Sequence, residues 1–213
     1  MKKGFSLIEA LFVVITVTLV LGGIFGVAYK AQVSFDEERR FTETSQQARV
    51  AIDEITRYIR QAGNDPLKCL KSGPSGPLPA IQRDSVQQIQ IRTDITGSYH
   101  GPGAPTGDPD GKLLSPFEWV TIGYNSGTKQ VYLIDHNLPA ASQTQVLADG
   151  IANFGFSCQN SAGGLAANDF DIAAVDVLIV AKTQRRSVNR INTVRYRSHV
   201  FIRSKTFDVF ATN

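Results

Sequence analysis

One carboxylate, Glu9, lies within an otherwise uncharged stretch that runs from Phe5 to Ala28. A charged acid in a spanning helix costs about 2.5–3.5 kcal/mol on insertion scales, so it is expected to have a partner and a purpose. The nearest candidate partner is an α-amino group. If the chain is cut after Gly4, the new N-terminus at Phe5 lies one helical turn from Glu9, within reach of that carboxylate or of the Glu9 of a staggered neighbour. The chemistry on offer is charge pairing at low dielectric.

The element that must hold Glu9 is the apolar run Ala10–Ala28. With Phe5–Ile8 added, it reaches the roughly 20 residues that a helix needs to cross the hydrocarbon core. Lys2 and Lys3 precede it and Asp36-Glu37-Glu38 follow it, which predicts a cytoplasmic start and a translocated C-terminal body. A cleaved secretory signal competes with this reading, but its cleavage site should follow the apolar stretch. Gly26-Val-Ala28 is a poor version of that site, and helix-forming sequence continues beyond it. A plain uncleaved anchor is the other competitor, and Glu9 argues against it.

Past Tyr29-Lys30 the chain turns polar but keeps a helical period, with Ala48, Ile52, Ile55 and Ile59 on one stripe and Arg49, Asp53, Glu54, Arg57 and Arg60 on the other faces. Gly63 and Pro66 are expected to end it. A continuous helix from Phe5 to Ala62 would be about 87 Å long, far more than a bilayer needs, so its amphipathic half must pack on something. Gly22, Gly23 and Gly26 each weaken the anchor by roughly 1 kcal/mol relative to alanine.

Residues 67–80 and 97–116 read as Gly/Pro-rich loops. Strands are expected at 86–94, 118–124, 130–135, 145–147, 151–157, 172–182 and 194–203, with another at 206–210. Asn125-Ser-Gly127 predicts a hairpin between the second and third. One long helix followed only by strands gives an α+β fold, with the C-terminal half of the helix on an antiparallel sheet.

Gly4-Phe-Ser-Leu-Ile-Glu9 before a long apolar stretch resembles the type III signal of type IV pilins and type II secretion pseudopilins. That resemblance implies cleavage by prepilin peptidase after Gly4, N-methylation of Phe5, and pairing of Glu9 with the amine of an adjacent subunit. It divides the chain into a leader (1–4), a transmembrane and assembly helix (5–29), its amphipathic continuation (30–62) and a strand-rich head (63–213). Major pilins often carry a proline where Gly26 stands. Arg60-Gln-Ala-Gly63, Glu118-Trp-Val-Thr-Ile-Gly-Tyr124, Tyr132-Leu-Ile-Asp135, Leu147-Ala-Asp-Gly-Ile-Ala-Asn-Phe154 and Val175-Asp-Val-Leu-Ile179 together resemble PilW-like minor pilins and J-type pseudopilins.

The implied function is that of a minor structural subunit, with a type II pseudopilin and a tip pilin that binds a ligand or DNA as alternatives. Implied partners are other major and minor pilins or pseudopilins, prepilin peptidase, an inner-membrane assembly platform and the lipid bilayer. The implied location is the bacterial inner membrane with a periplasmic head, then a filament at the cell surface.

The formal charge of +3 falls to +1 without Lys2 and Lys3, so nothing in it requires a nucleic-acid partner. Arg185, Arg186, Arg190, Arg195, Arg197 and Arg203, interleaved with Tyr196 and Phe201, could hold DNA through phosphates and stacking. Alternation from Val194 to Arg203 describes a strand with one wet face more simply. His100, His136 and His199 have no ligand spacing. Nucleophile elbows, Walker loops and dinucleotide fingerprints are absent, so no enzyme is expected.

Asp108 and Asp110, with Asp94 and Glu118, could offer oxygen ligands to calcium, although Asp-Pro and Asp-Gly are also ordinary turn chemistry; no cofactor or metal site is assigned. Cys69 and Cys158 lie in the translocated body, where disulfides persist. A Cys69–Cys158 bridge is expected, with two buried thiols as the alternative, since spacing does not show whether their Cα atoms approach.

Overall fold

A computed structural model describes residues 7–71, 76–95, 109–185 and 190–202. Among the described residues one α-helix, α1 (Leu7–Gln61), is followed by eight strands. Its 55 residues correspond to about 83 Å. Among the described residues none before Ala48 is buried; from there Ala48, Ala51, Ile52, Ile55, Thr56, Tyr58, Ile59 and Ala62 form one buried stripe. The recurrence at three and four residues that marks this half as amphipathic is therefore the face that packs. Gly63 ends the helix at φ 70°, a left-handed position that glycine takes without a Cβ penalty. Its N–H donates to the Arg92 carbonyl at 2.9 Å, which ties the helix end to the sheet.

The strands form two antiparallel sheets where one was expected. The first has the order β1-β2-β3-β4-β5, from β1 (Ile81–Ser85), β2 (Gln88–Arg92), β3 (Trp119–Asn125), β4 (Gln130–Asp135) and β5 (Thr144–Ala148). The second is β6 (Ile151–Gln159), β7 (Ala174–Arg185) and β8 (Arg190–Phe201). The break falls at Asp149-Gly150, where Gly150 takes φ 70° and β6 leaves its predecessor to pair with β7. Backbone bonds between the sheets are isolated ones, Phe156 N–H to Val86 O at 2.8 Å and Ile151 N–H to Lys129 O at 2.9 Å, and the Tyr124 hydroxyl donates to Ile151 O at 2.7 Å.

The helix packs on β7, β8 and β5. Ile89, Ile91, Val120, Ile122, Val131 and Leu133 from the first sheet meet Phe154, Val175, Val177, Ile179 and Val200 from the second in one core with the helix stripe. Two polar ties cross from helix to β8, Ser45 Oγ with Tyr196 Oη at 2.7 Å and Thr56 Oγ1 to Ser198 Oγ at 3.2 Å. Ile55 is fully buried in this core. Ile55→Ala is therefore expected to destabilise the head by about 2–5 kcal/mol, read as a lower denaturant midpoint for the detergent-solubilised protein with helicity at the anchor retained.

On the first sheet Gly123 faces Tyr132 across the ladder. A Cβ at Gly123 would lie 2.5 Å from the tyrosine oxygen, so the glycine admits the ring. The β3–β4 turn is held by Asn125, whose Oδ1 accepts from Gly127 and Thr128 N–H groups at 2.9 and 3.2 Å, as an Asx turn does.

Candidate anchor and assembly helix

The N-terminal half of α1 is covered by no part of the described head. Leu7, Ile8, Phe12, Leu19, Phe25 and Val27 are all exposed, and the most apolar 18-residue window of the helix has mean hydropathy 2.6 with none of it buried. Exposed apolar side chains on this scale far exceed the few hundred Å² that soluble monomers normally show, so this half is built to be covered by lipid or by other protein. Its length and composition suffice to cross a membrane once.

The polar groups within it are satisfied locally. Thr16 and Thr18 each donate a hydroxyl hydrogen back to the carbonyl four residues earlier, Phe12 O and Val14 O, both at 2.8 Å. This leaves them no donor to bury unpaired in hydrocarbon. Gly22, Gly23 and Gly26 have open space where a Cβ would stand, so nothing within the chain requires them to be glycine.

Glu9 sits in the first turn of the helix, exposed. Carboxylates are favoured there, because the unpaired N–H groups of a helix start present partial positive charge. Gly4 and Phe5 lie outside the described residues, as do Asp108, His100, Arg186, Arg203 and the strand expected at 206–210.

The head carries a second pattern, of which the sequence singles out only Asp94 and Glu118, beside Asp108 and Asp110, as possible oxygen ligands or turn residues. Four carboxylates accept pairs of backbone N–H groups and so fasten loops. Asp65 takes Cys69 and Leu70 at 2.7 and 2.8 Å. Asp94 takes Asp110 and Gly111 at 3.2 and 2.9 Å. Glu118 takes Ile95 and Ser115 at 3.2 and 2.9 Å, and Asp135 takes Phe117 and Asn137 at 2.8 and 3.0 Å. Asp94, Glu118 and Asp135 are buried. Asp110, the described half of the expected calcium pair, accepts Lys112 N–H at 2.9 Å.

Among the described residues, the donor atoms of Asp65, Cys69 and Asp94 lie within 4.8 Å of one another. Burial, followed by a hydrogen bond to Asp65 and the charges of Asp65 and Asp94, pushes the Cys69 thiol up to about 12. It is a protonated thiol at neutral pH and so a poor nucleophile. Cys158 is buried on β6, and burial raises its pKa as well. The expected Cys69–Cys158 bridge is not formed: both are free thiols, one on a short turn beside two carboxylates and the other inside the core.

His136 is held by Thr121 at 2.7 Å and lies against Trp119, ring centroids 4.5 Å apart. His199 and Arg197 both reach Asp176, at 3.1 Å each, with Gln159 Nε2 donating to it at 2.7 Å. Arg197 is thus committed to a carboxylate of its own sheet. Burial pushes Asp176 upward, but the hydrogen bonds and charges of Arg197 and His199 outweigh it and hold the carboxyl below its ordinary value of 3.8.

A carboxyl depressed in the folded state contributes stability above its unfolded pKa and loses it as pH falls through the folded one. The head should therefore lose stability below about pH 3.8, and Asp176→Asn should flatten that part of the profile in acid-denaturation scans. No protein-family model matches this chain, and a search of curated proteins finds no match.

Proposed function

We propose that the chain is a structural, non-enzymatic minor subunit of a type IV pilus: a membrane-anchored precursor, cut after Gly4, methylated at Phe5 and drawn into a filament through α1. The observation that carries this reading is the division of one continuous helix into a half buried against the head and an apolar half left bare. In the membrane, lipid covers the bare half. In a filament, the helices of neighbouring subunits would cover it.

Helix association from lipid gains little from hydrophobicity, since lipid tails are as apolar as leucine. Directional contacts then decide register, and Glu9 supplies one: an ion left unpaired in a low-dielectric bundle costs several kcal/mol. Its role is to set stagger. A type II secretion pseudopilin uses the same chemistry and is the alternative assignment. The proposal places the subunit in the bacterial inner membrane with its head outside the cytoplasm, and then at the cell surface.

Filaments sheared from cells should contain the mature chain in amounts well below the major subunit, and cells lacking prepilin peptidase should retain all of it in the membrane. Recovery of the chain only in the membrane fraction of cells that make filaments would overturn the reading.

A further inference from the structure

The β7–β8 hairpin runs alongside α1 toward its bare half. Near the start of β7, Ile172 lines a hollow with Gly63 and Asn64 at the C-terminal end of the helix. Nine residues on, Ala181 pairs with Ile151, next to Gly150, which lies against Thr44. Nine strand residues and the twenty helix residues between these levels both span about 30 Å. The strand and the helix are therefore nearly parallel in axis and opposite in direction. The ties of Ser45 to Tyr196 and Thr56 to Ser198 advance together along both segments, so β8 runs with the helix, as the antiparallel partner of β7 must.

β6 pairs no further than Ala181. Beyond it, Lys182–Arg185 and Arg190–Thr193 continue as a two-stranded ribbon in which Arg185 stands opposite Arg190. Four residues add about 13 Å, which brings that pair level with Phe35 on the helix. The apolar run ends at Ala28, about 10 Å farther down the axis, so a bilayer holding that run would have its surface within roughly a Debye length of the ribbon end.

Composition matches the position. The described residues 182–185 and 190–195 contain four bases and no acid. Together with the helix from Lys30 to Glu43, they hold seven bases against four acids, while the rest of residues 5–213 holds thirteen against fifteen. An excess of positive charge is thus gathered at the membrane-proximal end, whatever pairs form within it. Lys182, Thr193 and Arg195 are exposed, and Ile191 is 52% exposed. Basic side chains around an exposed aliphatic one suit an anionic interface, where each Lys or Arg near the surface gives about 1 kcal/mol.

We infer that the β7–β8 ribbon is a lipid-contacting foot that rests on anionic phospholipid headgroups and fixes the tilt of the head before assembly. This rests on the reading of α1 as a membrane anchor, and the test separates the two. The full chain, in a Cys69→Ala, Cys158→Ala background, carries a fluorophore at Thr193→Cys or, separately, at Ile24→Cys. It is reconstituted at low protein density into phosphatidylcholine vesicles with or without phosphatidylglycerol.

A nitroxide on the acyl chains should quench the Ile24→Cys label in both vesicles; no quenching there would overturn the anchor and the foot together. A nitroxide on the headgroups should quench the Thr193→Cys label severalfold more when phosphatidylglycerol is present, and high salt or Lys182→Glu with Arg195→Glu should abolish the gain. Lys182→Arg with Arg195→Lys should retain it. Equal quenching in both lipids while the Ile24→Cys label is quenched would refute the foot, as would a response that arises only on adding duplex DNA or a second pilin.

Discussion

Glu9→Leu is expected to leave the subunit in the membrane and to remove it from filaments. The substitution takes a charge out of a segment where an acid costs about 2.5–3.5 kcal/mol on insertion scales, so carbonate-resistant membrane association should be retained or increased. Incorporation should fall, because the neighbour's α-amino group then enters the helix bundle without its counter-charge. Breaking a buried pair by removing one partner costs about 3–5 kcal/mol, and at about 1.4 kcal/mol per tenfold that is a hundredfold loss or more in the assembly equilibrium. Glu9→Asp keeps the charge on a shorter arm and should assemble partially. Quantifying the chain in sheared filaments against the membrane fraction reads both effects, and a Leu variant that assembles normally would remove Glu9 from the mechanism.

Gly4→Leu is expected to block processing nearly completely, so that a precursor retaining Met1 accumulates in the membrane. The bulk of a side chain at the residue before the cut is one reason. The other is charge: an uncut chain keeps Lys2 and Lys3 and a net charge of +3 in place of +1. Those lysines would have to follow the N-terminus into the helix bundle, where each buried cation costs several kcal/mol unless paired. The uncut subunit should therefore be absent from filaments even though its anchor and head are intact. A slower-migrating band on a gel confined to the membrane fraction would show this; normal-sized product would contradict it.

Much of the fold was legible because it follows periodicity. The helix expected to Ala62 ends at Gln61, and Ala48, Ile52, Ile55 and Ile59 are all buried. β4 was read to the residue, Gln130–Asp135, since its alternation is complete. β1 was missed: Ile81-Gln-Arg-Asp-Ser85 buries only Ile81, so one apolar residue had to speak for a strand. The outer parts of β7 and β8 were missed because their polar sequence carries no apolar period of two.

The division into two sheets depends on pairing choices at Asp149-Gly150, which local pattern does not encode. The loop-fastening role of these carboxylates was not legible because Asp and Glu look alike in sequence whether they bind an ion, face water or accept backbone N–H groups. One signal was present: Asp94 and Asp135 close on strand ends and Glu118 precedes a strand start, each beside a Gly/Pro-rich loop with N–H groups to satisfy.

What the helix is for turns on its first residue. Mass spectrometry of the mature N-terminal peptide from wild-type cells should find a methylated phenylalanine at Phe5 and no peptide containing Met1. A mature chain that still begins at Met1, or one cut beyond Ala28, would contradict the proposal that this subunit enters a filament through Glu9.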